Sequence, residues 1–341
     1  MTRYKQFSNS KKQAPNWLLV IGYCLFLVSC ILFLAAPILA QQVSLSLTPP
    51  HLETIIKPGK SVLVAYTVQN YGDPTVMKIR VLPFSPKGTE GEIQIAEQFE
   101  GPVRFSLDNS DLELDTAFFL NTRDRQQVLL RIRIPDGAPE GDYYYSFIAE
   151  TVPTPGTEGI SQSKTQARVA VPILITITQS GDLDIRGKVD FFDVIPRLKI
   201  GSVKLFDSGD KIPVVLIVRN EGKNFINPEG DIILKETFGT KSSYSIVPQN
   251  VLAQSQRLMI ATPSAEVDCE GSRAVYCKRP ITLLLSGLFL GKYTLSTEIN
   301  FGEATQHVFG STSFIAFPIK FMIGLLAGLI IGILLVRRFG K

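Results

Sequence analysis

The feature that most restricts how this chain can fold is a two-part pattern that occurs twice at one spacing. Val64-Ala65-Tyr66-Thr67-Val68-Gln69-Asn70-Tyr71-Gly72 aligns with Val214-Val215-Leu216-Ile217-Val218-Arg219-Asn220-Glu221-Gly222 at an offset of 150 residues, and Gly141-Asp142-Tyr143 aligns with Gly291-Lys292-Tyr293 at the same offset. Each first part is an apolar segment ending in Asn-x-Gly. Each second part opens a later segment with Gly-x-Tyr. Asn-x-Gly suits a turn out of a core strand where positive φ is needed, and Gly-x-Tyr sets its tyrosine where the tyrosine corner of immunoglobulin-type sandwiches lies. Two matches at one offset predict two related domains, residues 41–180 and 181–312, divided at Gln179-Ser180-Gly181-Asp182.

Inside these segments the hydrophobic period is two. Val62, Val64, Tyr66 and Val68 alternate with Leu63, Ala65, Thr67 and Gln69, and Val128, Leu130, Ile132 and Ile134 alternate with Leu129, Arg131 and Arg133. That is the pattern of half-buried strands. Pro58-Gly59, Gly72-Asp73-Pro74, Pro86-Lys87-Gly88 and Pro135-Asp136-Gly137 interrupt it with turn chemistry. The expected fold class is an all-β ectodomain of two immunoglobulin-like β-sandwich domains, with an N-terminal signal or anchor helix and a C-terminal transmembrane helix.

The ends of the chain are of another kind. Residues 18–40 carry no charge and follow a basic segment, so residues 1–40 read as a signal peptide, with Ala40 before a cleavage site, or as an N-terminal membrane anchor. Phe314–Val336 is apolar except for Lys320, and it is followed by Arg337, Arg338 and Lys341. We expect a transmembrane helix over 313–336 and a basic cytoplasmic tail at 337–341. Both basic flanks then face the cytoplasm, and the bulk of the chain is extracytoplasmic at the cell membrane. Removing those flanks leaves 27 Lys and Arg against 31 Asp and Glu in residues 41–319. This acidic region has no field for phosphates, so nucleic acid is excluded as a partner. Gly324, Gly328 and Gly332 lie on one helix face, either as a packing surface for a homo- or hetero-oligomer or as the ordinary glycine content of membrane helices.

The search for chemistry yields little. His51 and His307 are the only histidines and read as ordinary strand residues, so a Ser or Cys nucleophile has no evident base. Glu90, Glu92, Asp111, Glu113 and Asp115 fall in polar turns where carboxylates are ordinarily solvated. Asp108-Asn109-Ser110-Asp111 and Asp207-Ser208-Gly209-Asp210 offer hard oxygens, but without the spacing of a calcium loop. We therefore expect no enzyme, no cofactor and no metal site. Cys269 and Cys277 are separated by a turn-forming segment and suit a local disulfide; two free thiols, or half of a metal site, are the alternatives. In Tyr143-Tyr144-Tyr145 the middle ring points opposite to its neighbours. Tyr144 is the candidate binding-face aromatic, although packing against the neighbouring domain accounts for it equally well.

An export signal, Thr48-Pro49-Pro50, Val64–Gly72, Pro139-Glu140-Gly141-Asp142-Tyr143-Tyr144, a second sandwich, a membrane helix and a basic tail together resemble the WxL-interacting proteins of bacterial surfaces. More distantly the layout resembles the immunoglobulin-like domains of pilus chaperones. The first resemblance implies peptidoglycan binding by the first domain and partner or host contact by the second. The function expected is a membrane-anchored binding protein of the bacterial envelope that holds cell-wall glycan or a surface protein. The alternative is an assembly subunit recruited through the glycine face of its membrane helix.

Overall fold

The computed structural model describes residues 42–152, 166–237, 239–266, 279–302 and 307–339, together with Ile21, Tyr23 and Cys277. The expected signal or anchor over residues 1–40 lies outside the described residues except at Ile21 and Tyr23.

From the N-terminus the strands are β1 (Leu45–Thr48), β2 (Leu52–Ile56), β3 (Ser61–Asn70), β4 (Thr75–Lys87), β5 (Glu92–Ile95), β6 (Arg104–Leu107), β7 (Ala117–Leu120), β8 (Arg125–Arg133), β9 (Gly141–Thr151) and β10 (Arg168–Ile177). They pair as β1-β3-β8-β6 and as β2-β10-β9-β4-β5, with β7 on β4. All these pairs are antiparallel except β2 with β10. The alternation read in β3 and β8 is what closes the core. Tyr66, Val68, Val128, Leu130 and Ile132 face Ile79, Tyr145, Phe147, Ile173 and Ile175, and Tyr66 stacks on Phe147 at 4.3 Å. Burial of these side chains is the main stabilising term of the sandwich.

A second set follows: β11 (Gly187–Val194), β12 (Leu198–Ile200), β13 (Val203–Asp207), β14 (Ile212–Asn220), β15 (Glu229–Glu236), β16 (Lys241–Val247), β17 (Gln256–Leu258), β18 (Ile260–Thr262), β19 (Leu283–Leu285), β20 (Gly291–Asn300) and β21 (Val308–Phe317). One sheet is β11-β14-β17 with β19 on β14, and the other is β12-β13-β21-β20-β15-β16-β18. They enclose a separate core that includes Val214, Leu216, Val218, Ile232, Tyr293, Leu295 and Phe314. Among the described residues from 42 onward the fold is thus all-β with immunoglobulin-like sandwich packing and one C-terminal apolar helix, α1 (Ile319–Phe339).

The repeat is visible atom by atom. Asn70 and Asn220 end β3 and β14 and are both buried. Asn70 Nδ2 donates to the carbonyls of Asp73 and Asn121, and its Oδ1 accepts from the Gly72 amide at 2.9 Å. Asn220 Nδ2 donates to the carbonyls of Asn224 and Val251, and its Oδ1 accepts from the Gly222 amide at 2.8 Å. The expectation of positive φ at this turn is corrected: neither Gly72 nor Gly222 has it. The asparagine side chain makes the turn, and Gly222 is needed because a Cβ there would meet the Asp184 carbonyl at 2.1 Å. Positive φ belongs instead to Gly141 (+137°) and Gly291 (+100°), where β9 and β20 begin. The following tyrosines close back on their own loops. Tyr143 Oη donates to the Pro139 carbonyl, and Tyr293 Oη accepts from the Leu290 amide.

The expected boundary between strand and membrane helix is also corrected. β21 continues to Phe317, with Phe314 and Ala316 buried in the second core, so α1 opens at Ile319 rather than at 313. Apolar strand and apolar helix run together in the sequence, and composition alone cannot part them. Among the described residues, Ile319–Arg338 is the one helix long and apolar enough to cross a membrane.

Candidate functional site

The most built-up polar site lies where the two sandwiches meet. β9 leaves the left-handed Gly141 with Asp142 next in line, and this carboxylate is enclosed by donors from both sandwiches. Its Oδ1 accepts from Thr176 Oγ1 and Asn224 Nδ2, each at 2.7 Å, and its Oδ2 accepts from the Phe225 amide and from Tyr144 Oη. Tyr144 Oη in turn accepts from the Ala253 amide at 2.8 Å. Burial, with the Asp142 charge beside it, pushes the Tyr144 phenol well above its ordinary pKa. Its ring stacks on Phe84 at 5.8 Å. Tyr144 is therefore a junction residue and not a free binding-face aromatic. The single-residue alternation that sets it opposite Tyr143 and Tyr145 holds, but the surface it faces is already occupied.

A second bridge forms at the β4–β5 hairpin, where the Leu258 amide donates to the Thr89 carbonyl at 2.7 Å. Asn250 Nδ2 donates to Glu53 across the same seam. Between these bridges lies a cleft of about 360 Å³, lined by Phe84, Ile93, Pro172, Leu174, Val251 and Arg257 among others. Arg257 lines it together with the charged Lys87 and Glu92. Nη1 donates to the Asn250 carbonyl at 2.8 Å, while Nε is buried without a partner. No carboxylate pairs with it among the described residues. Burial lowers its pKa, yet an arginine stays protonated in any such setting. Gly91, at φ +82°, lies directly against it, and a Cβ there would come within 2.5 Å of a guanidinium nitrogen. Backbone of one sandwich and cation of the other thus share one wall of a mainly apolar cleft that also carries Lys87, Glu92 and Gln256, the kind of place where a ligand is held by apolar contact and oriented by a charge.

Elsewhere the expected site residues are dispersed. Gly324, Gly328 and Gly332 do share one face of α1, and a Cβ on any of them would meet nothing within 4 Å. Cys269 lies outside the described residues, so the Cys269–Cys277 bond remains an expectation. His307 precedes β21 and its Nδ1 lies 2.7 Å from Glu298 Oε1, and His51 also lies outside the strands. Three of the four acids considered as calcium ligands are held by cations: Asp108 by Arg131, and Asp207 and Asp210 by Lys320. Sequence reasoning missed Arg257 and Asp142, although Asp142 stands inside the repeated Gly-x-Tyr. The signal was the mismatch, an acid where the second copy has Lys292. It also missed Glu150, buried on β9 and in contact with Lys78 (3.1 Å), Arg168 (2.5 Å) and Arg80 (3.8 Å).

No protein-family model and no curated protein matches the sequence. Solved structures do. The class 5 fimbriae chaperone CfaA is 12% identical with a TM-score of 0.36, covering 80% of this chain and 99% of that one. The SafB chaperone in complex with the SafA pilin of Salmonella enterica gives 11%, 0.35, 80% and 98%. A PapD-like domain of human CEP192 gives 16%, 0.25, 42% and 93%. The resemblance to WxL-interacting proteins is corrected by these matches. No model of that family fits, the likeness is to PapD-like chaperones, and at these values it does not reach function. The short turn signatures that suggested the family belong to immunoglobulin-like sandwiches in general.

Proposed function

We propose that this chain is a membrane-anchored, extracytoplasmic binding protein that acts without catalysis and engages a protein partner at the cleft between its sandwiches. The observation that carries this reading is Arg257, a cation with a buried, unpartnered Nε on the wall of a mainly apolar cleft. Such a wall favours a segment bearing an anionic group flanked by apolar side chains, because a desolvated guanidinium gains most from a charged acceptor. Of the two ligand classes expected from the sequence, cell-wall glycan fits less well. Glycan sites stack sugars on exposed rings, and the ring chosen for that, Tyr144, is bonded into the junction. The anchor is α1, and the basic residues Arg337 and Arg338 at its end favour a cytoplasmic C-terminus.

The test is photo-crosslinking from a reactive residue at Glu92, on the rim of the cleft, in the native membrane. A defined protein adduct is expected, reduced about tenfold by Arg257→Ala, the loss of one charge-assisted contact. An adduct indifferent to Arg257→Ala, or retention of the purified chain on peptidoglycan with no protein adduct, would sink the reading.

A further inference from the structure

The end of the second sandwich next to α1 carries apolar side chains that the fold does not use. In Gly287-Leu288-Phe289-Leu290-Gly291 the middle residue is buried in the core, while Leu288 is 83% exposed and Leu290 58%. This loop is fixed beside the helix. The Ser208 amide donates to the Phe317 carbonyl at 3.2 Å, and the Ser208 carbonyl accepts from the Phe289 amide at 2.9 Å. Phe317, itself 47% exposed, ends the strand that leads into α1. The opening of the helix is clamped to the same corner, because Asp207 Oδ1 accepts from the Lys320 amide at 2.9 Å and the Lys320 ammonium reaches Asp207 and Asp210 at 3.2 and 3.0 Å. Leu288 and Leu290 therefore keep a fixed position at the level where α1 begins.

The other copy of the repeat supplies an internal control. The loop at the offset of 150 is Gly137-Ala138-Pro139-Glu140, which has no large apolar side chain and gives Glu140 to the Gln179 amide. Both loops precede a left-handed glycine and a core tyrosine, so the shared fold does not call for leucines. What differs is what comes next in the chain: a second sandwich after the first copy, a membrane helix after the second.

We infer that Leu288 and Leu290 insert into the interfacial layer of the bilayer crossed by α1, so that the second sandwich rests on the lipid surface instead of swinging from its anchor. Two leucines leaving water for the acyl boundary gain free energy by the same apolar transfer that buries a core side chain. The inference rests on α1 being a membrane span, and the test separates the two.

The full chain carries one tryptophan, Trp17. In a Trp17→Phe background, single reporters are introduced as Leu288→Trp, Leu290→Trp, Leu326→Trp within the helix and Phe309→Trp. The last is exposed on the same strand as Phe317 and about 26 Å away from it at strand rise. Each protein is reconstituted in phosphatidylcholine vesicles whose acyl chains carry bromine near the glycerol end. At least twofold quenching with blue-shifted emission is expected for the reporters at 288, 290 and 326, and neither effect at 309. Quenching at 326 with water-like, unquenched emission at both 288 and 290 would overturn the inference and leave the span intact. Absence of quenching at 326 as well would overturn both.

Discussion

The two copies of the repeat use the same end of the sandwich for different neighbours, and the residue after the left-handed glycine shows which. In the first copy it is Asp142, held by four donors and joined to Asn224 and Phe225 of the second sandwich. In the second copy it is Lys292, an exposed strand residue whose carbonyl accepts from Thr237 Oγ1 at 2.5 Å. The strand cores, the capping asparagines and the tyrosine that closes each loop are alike; the surface residues at the exit are not. Each sandwich keeps what its own core requires, and the two differ in what their ends touch.

The largest expected effect breaks this comparison directly. Asp142→Ala leaves Thr176, Asn224, Tyr144 and the Phe225 amide without their common acceptor and should cost about 3 kcal/mol, two or three hydrogen bonds to a charged group left unmade. Lys292→Ala should change stability by less than about 0.5 kcal/mol, as surface substitutions do. Urea denaturation of the purified chain gives both numbers. Equal costs at the two positions would mean that the junction cluster does not hold the sandwiches together.

The next effect tests the likeness rather than the difference. Asn70→Ala and Asn220→Ala each remove an Asx turn and two donors to backbone carbonyls. Each should lower stability by about 2 kcal/mol, and the two losses should agree within about 0.5 kcal/mol. A large cost at one and none at the other would make the repeat a coincidence of letters.

Much of this was legible in the sequence, for reasons that can be named. Period two in β3 and β8, and the paired Asn-x-Gly and Gly-x-Tyr signatures, report local geometry that neighbouring residues dictate, so they gave the strands, the matching asparagine turns and the role of Tyr143. The site was far less legible. Arg257 becomes significant only because Gly91, 166 positions earlier, brings its backbone against the guanidinium, and no local pattern encodes that approach. Tyr144 was visible as a ring pointing away from its own core, but whether water or another sandwich meets that ring depends on the packing of distant segments. The helix boundary slipped for a related reason: Phe314 and Ala316 are as apolar as the helix that follows, and only pairing with β20 marks them as strand.

Glu150 supplies the smallest expected effect and the clearest dependence on pH. It lies on β9 in the first sandwich; the residue at the same offset in the second is the neutral Asn300. Burial on its own raises the Glu150 carboxyl, but the hydrogen bonds and charges of Arg168 and Lys78 outweigh it and hold the group below the ordinary carboxylate range. A carboxyl whose folded pKa is depressed stabilises the fold fully above its unfolded value, about 4.3 for glutamate, and that contribution disappears as pH falls through the folded value. Glu150→Gln should therefore cost about 1 kcal/mol at pH 7. The figure is modest because Lys78, Arg80 and Arg168 are each between 26% and 46% exposed and can return to water. The difference between the two proteins should shrink as pH falls through that depressed folded value, because the native side chain then becomes protonated and equally neutral. Urea midpoints at pH 7, 5, 4 and 3 trace that convergence. A gap constant over this range would show that glutamate acts here through shape and hydrogen bonding rather than charge, and the contrast with Asn300 would lose its electrostatic meaning.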